Sequence, residues 1–98
     1  EYHYTGNTIF EGKLVEGGVQ AETKQVMHNL KAVLEAANFT FEHVVKSTIF
    51  ISNMDDFAQI NTVYGSFFNE ANAPARETVQ VARLPKNVNV EISVIAVK

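Results

Sequence analysis

The stretch Pro74 to Leu84, PARETVQVARL, constrains the chain most. A proline fixes φ and biases the residue before it toward extended structure, so the chain enters the following strand stiffly. Arg76 stands two residues after Pro74, so its guanidinium leaves the backbone where loop becomes strand. That group is always charged and offers a planar fork of donors matching a carboxylate or phosphate. An arginine at a strand mouth serves equally as a surface charge or as half an ion pair, and its spacing alone does not choose among these roles.

The rest of the chain supplies the frame for that strand. Val19 to Ala37 has Val19, Val26, Leu30, Val33, Leu34 and Ala37 at helical spacing, and Gln20, Glu22, Lys24, Gln25, Lys31 and Glu35 on the other face. Asn38 is its expected stop, since asparagine tolerates the left-handed conformation. Val44 to Ile51 alternates as a strand, with Val45, Ser47, Ile49 and Ile51 toward the helices. A second helix is expected over Met54 to Asn69, capped by Asn53 or Asp55, burying Phe57, Ile60, Tyr64, Phe67 and Phe68. Asn61 beside that stripe is expected to hold a loop or strand end. Val88 to Val97 alternates again, with Val88, Val90, Ile92, Val94 and Ala96 on one face, and is expected to pair with the 78–82 strand as a hairpin. At the start, Thr8 to Phe10 reads as a short strand and Glu11 to Gly18 as loop. The pattern strand, helix, strand, helix, strand, strand predicts an α+β fold with two helices on one sheet face.

Ninety-eight residues suit one domain with a modest core. The net charge of −3 lacks the electrostatic footprint of a nucleic-acid binder. With no cysteine, disulfides, thiolate metal sites and thiol catalysis within this chain are excluded. No apolar run is long enough for a membrane span and no signal-peptide pattern opens the sequence, so the cytoplasm is the expected compartment. There is no GxGxxG or Walker pattern, the three histidines lack metal-ligand spacing, and no serine sits in a nucleophile elbow.

On the sheet face expected to point away from the helices stand Gln80, Glu91 and Ser93. A carboxylate in mid-strand between Val90 and Ile92 requires a reason. One is a solvated outer face. The sharper one is that Glu91 and Arg76 line one cleft, the arginine clamping a substrate carboxylate and the glutamate orienting or deprotonating a water.

The blocks NLKAVLEAA (Asn29 to Ala37), VVKSTIFISNMDDF (Val44 to Phe57) and PARETVQVARLPKNVNVEISVIAV (Pro74 to Val97) resemble the RidA (YjgF-like) family of reactive-intermediate deaminases, in older usage L-PSP ribonuclease-like proteins. The resemblance runs from about Lys13 to Lys98. It implies a chorismate-mutase-like α+β fold assembled as a homotrimer, with the sheets forming an inner barrel and ligand clefts between subunits. It also implies hydrolysis of 2-enamine/2-imine acids such as 2-aminoacrylate and 2-iminopropionate to 2-keto acids and ammonia, with no cofactor, metal, nucleic acid or membrane. Arg76 falls on the family's carboxylate-binding arginine and Glu91 on its water-orienting glutamate. Thr78 stands where many members have cysteine, at a position whose backbone N–H contacts ligand, and Gln80 and Ser93 replace frequent glutamates. The family's Ser-Gly-Gln and its following loop are lacking between Phe10 and Glu11, where a segment is expected to be missing from the single domain 1–98. The alternatives are a trimer that binds a small carboxylate and regulates a partner without turnover, and a ribonuclease, which fits poorly with the acidic charge.

Overall fold

The computed structural model describes residues 2–10 and 12–98, positions 9 and 10 by backbone alone. In chain order the elements are β1 (Tyr2–Gly6), β2 (Ile9–Phe10), β3 (Lys13–Leu14), α1 (Val19–Ala36), β4 (Val44–Ile51), α2 (Phe57–Gly65), β5 (Ala75–Gln80) and β6 (Val90–Ala96). Four strands form a mixed sheet in the order β1-β6-β4-β5, and β2 pairs with β3 in a separate two-stranded ladder. Both helices pack on one face of the sheet, as the sequence pattern predicts. The expected junction between Phe10 and Glu11 involves Glu11, which lies outside the described residues.

The core forms between α1, α2 and the inner face of the sheet. Val26, Leu30 and Leu34 of α1 are buried against Ile49 and Ile51 of β4 and Val90, Ile92, Val94 and Ala96 of β6. Apolar surface so removed from water is the main stabilising term, at about 25 cal/mol per Å². Helix α1 ends where expected: Asn38 adopts φ 63, and the Phe39 N–H returns to the Leu34 carbonyl at 2.8 Å. The Asn53 side chain accepts the Asp55 N–H and caps the short 3₁₀ turn Met54–Asp56 that leads into α2.

Several expectations are corrected. The opening contains a strand, β1, that closes the sheet edge against β6. Lys13 and Leu14 pair with β2 inside the stretch read as loop. The second helix ends at Gly65 rather than Asn69. On α1 the stripe is rotated: Met27 and Thr23 are fully buried, whereas Val33 is 39% exposed. Glu22, assigned to the solvent face, is buried. A β-bulge between Val44 and Lys46 changes the alternation, burying Val44 and turning Val45 outward.

The expected hairpin is absent. β5 lies parallel to β4, and β6 lies antiparallel to β4 on its other side. Helix α2 is the cause. It returns the chain from the end of β4 to the start of β5, the crossover a parallel pair requires. That leaves β5 at the sheet edge with Arg76 on it.

Candidate functional site

The register decides which face each strand residue occupies. Arg76 pairs with Ser47, and Ser47 with Val94. Ser47 and Val94 are buried beneath the helices. Arg76 therefore stands on the helix side of the sheet, at its open edge. Its guanidinium carbon lies 5.6 Å from the ring centroids of both Phe57 and Tyr64 in α2. Among the described residues it forms no ion pair.

Beside it opens a cavity of about 590 Å³, lined by Asn61, Tyr64, Phe68, Glu70, Pro74 and Arg76 among others. Buried polar atoms without hydrogen-bond partners gather here. Asn61 Oδ1, Tyr64 OH, Ser47 Oγ and Thr78 Oγ1 are four of the five such atoms among the described residues. Native structures hold few of these, and each calls for a reason. Asn61 and Tyr64 line the cavity, but these two oxygens are themselves shielded from solvent. Burial raises the Tyr64 phenol above its ordinary pKa, while the neighbouring Ser47 hydroxyl and the Arg76 charge pull the other way. The phenol is neutral at physiological pH.

Thr78 follows Arg76 on the same face, paired with Ile49. Its strand has β4 on one side and no described strand on the other. Gln80, expected on the outer face with Glu91, belongs to the Arg76 side, paired with Ile51. Its Oε1 accepts the Met54 N–H at 2.7 Å and so supports the turn before α2. Asn61 does not hold a loop or strand end as expected, since its carbonyl oxygen is unpartnered.

Glu91 sits elsewhere. It pairs with Phe50, which pairs in turn with Val79, and this row faces away from the helices. Half-buried, it lines a separate cavity of about 160 Å³ with Asn7, Thr8, Leu14, Lys86 and Val88. Ser93 shares its face and bonds Thr5, hydroxyl to hydroxyl, at 2.9 Å. Within one chain Arg76 and Glu91 therefore occupy opposite sides of the sheet and do not meet. Asn61 and Tyr64, in contrast, are site-lining residues that the sequence reading assigned to structure. The signal for Asn61 was a carboxamide sharing one helical face with Phe57 and Tyr64.

The Endoribonuclease L-PSP family model matches residues 3–98. A RutC family protein of Synechocystis is 55% identical over 82 residues, covering 84% of this chain and 63% of the relative. The 2-iminobutanoate/2-iminopropanoate deaminase of Escherichia coli K12 is 46% identical over 86 residues, covering 86% of this chain and 67% of the relative. The crystal structure of the E. coli YjgF gene product superposes with a TM-score of 0.87 at 40% identity, over 97% of this chain and 77% of that one. The matches thus span about two-thirds of the curated relatives' length. Some relatives carry a deaminase name and others only the RutC family name.

Proposed function

The chain belongs to the L-PSP endoribonuclease family, the RidA/YjgF group, and on that premise we propose that it hydrolyses small 2-imino acids to 2-keto acids and ammonia. The observation that carries this reading is Arg76, an arginine without an ion pair among the described residues, at the mouth of a cavity that Asn61 and Tyr64 also line. A guanidinium so placed takes a carboxylate through two parallel N–H···O bonds. The Asn61 side chain lines the same cavity. Water then attacks C2 of the protonated imine as a base takes one of its protons, giving a neutral carbinolamine. A proton passes from the added hydroxyl to nitrogen, the C–N bond breaks, and ammonia leaves a keto acid. The substrate's own carboxylate is the handle, so unsubstituted ketimines are poor substrates.

Glu91 takes the role of orienting the water. Because it lies across the sheet from Arg76 in one chain, the reading places Glu91 of one subunit against Arg76 of another, in a homotrimer whose sheets face inward. The outer face suits burial, with Phe50, Val79 and Ile95 among its apolar residues. We further take Phe10 and Glu11 to be separated by a segment in the complete protein, a reading supported by the relatives' greater length.

The test is release of ammonia and pyruvate from freshly generated 2-iminopropionate. Wild type is expected to accelerate it, and a folded Arg76→Ala variant to lose that acceleration. If wild type binds pyruvate yet gives no acceleration, the cleft is a carboxylate-binding site without turnover and the enzymatic reading fails.

A further inference from the structure

An arginine side chain on an edge strand has many rotamers open to it in water, and ordering it costs free energy when a ligand binds. Arg76 is held. Phe57 and Tyr64 lie about two helical turns apart on one face of α2, and the guanidinium carbon lies at 5.6 Å from each ring centroid. Both distances fall within the range where a cation is drawn to an aromatic face. The rings themselves are fixed. Tyr64 is 4% exposed and packs against Phe68 with centroids 4.9 Å apart. Phe57 is half-buried against the core.

Neither ring is a conventional hydrogen-bond acceptor, so the guanidinium keeps its N–H fork for a planar acceptor. We propose that Phe57 and Tyr64 are positioning residues of this site, a two-ring bracket that presets Arg76 to receive a carboxylate. The proposal rests on the reading of the cavity as a carboxylate site. The rings, rather than the phenol hydroxyl, do the holding, because Tyr64 OH makes no hydrogen bond to Arg76. The arrangement also explains an aromatic near each end of a helical stripe where leucines would fill a core equally well.

Pyruvate, the keto acid formed from 2-iminopropionate, is a probe whose binding does not depend on turnover. Its affinity is measured by titration calorimetry for wild type, Arg76→Ala, Phe57→Leu, Tyr64→Leu and Tyr64→Phe, each checked for fold by circular dichroism. Wild type binds and Arg76→Ala does not. Phe57→Leu and Tyr64→Leu each weaken binding about two- to fivefold, the scale of one exposed cation–π contact. Tyr64→Phe, which restores the ring, recovers most of what Tyr64→Leu loses. Phe57 lies nearer the surface than Tyr64, so Phe57→Leu carries the test where Tyr64→Leu does not fold. Folded Phe57→Leu binding pyruvate as tightly as wild type overturns the bracket while leaving the carboxylate site intact. Absence of pyruvate binding by wild type, or equal binding by Arg76→Ala, overturns the site reading and the bracket with it.

Discussion

Glu22 shows how one side chain departs from its pattern for a physical reason. In the first turn of α1 its charge complements the helix dipole, but both of its oxygens are committed elsewhere. Oε1 accepts the Asn89 N–H at 2.9 Å, and Oε2 accepts the Asn89 side-chain amide. Asn89 Oδ1 in turn accepts the Ser52 hydroxyl at 3.2 Å, and its carbonyl accepts the Ser52 N–H at 3.1 Å. One carboxylate thus ties the start of α1 to the chain ahead of β6 and the end of β4. Removing it leaves two partly buried donors of Asn89 unpaired, a loss of about 1–3 kcal/mol. Glu22→Leu is therefore expected to melt several degrees below wild type, and Glu22→Gln, which keeps one acceptor, to lose less. A Glu22→Leu protein as stable as wild type would show the network to be idle.

At the scale of elements, β1 meets α1 at Gly6. A Cβ built there would stand 2.7 Å from Leu30 Cγ and 2.7 Å from the Val26 carbonyl oxygen. The second of these is backbone and cannot swing aside. Gly6→Ala must therefore separate strand from helix, and overpacking of this kind costs about 1–3 kcal/mol. Denaturant unfolding is expected to show a lower midpoint with an unchanged slope. An unchanged midpoint would mean that the edge strand contributes nothing to the cooperative unit. The two helices, the inward row of β6 and the caps at Asn38 and Asn53 were legible in the sequence, because each rests on local spacing or a single residue's backbone preference. The pairing of strands was not, since the parallel β4–β5 register depends on a crossover whose ends are distant in sequence. The bulge at Val44/Lys46 was hidden for a similar reason: one additional residue inverts the alternation without altering composition. For the candidate site, the proline-stiffened position singled out Arg76 without choosing its role, which the family resemblance supplied, and Asn61 and Tyr64 were masked by a stripe that reads as core.

For the whole molecule, the decisive fact is that Arg76 and Glu91 lie on opposite sides of one sheet. The outer face combines polar contacts with exposed apolar groups. Thr48 donates to Glu77 at 3.2 Å, Lys46 approaches the same carboxylate at 3.6 Å, and beside them Val79 is 41% exposed. If three chains cover this face by placing each edge strand against the next sheet, every cleft receives Arg76 from one subunit and Glu91 from another. Two inactive variants should then rescue each other. Arg76→Ala still supplies Glu91, and Glu91→Gln still supplies Arg76. Unfolded together in equal amounts and refolded, the two form mixed trimers. A cleft is complete only when each neighbour contributes its intact residue, with probability one half times one half. Deaminase activity of about a quarter of wild type is expected in a closed cyclic assembly. Each variant refolded alone should remain inactive. A mixture no more active than its parts, with mixed trimers shown by native mass spectrometry, would mean that the residues act within one chain. The opposed-face geometry would then have to change on assembly.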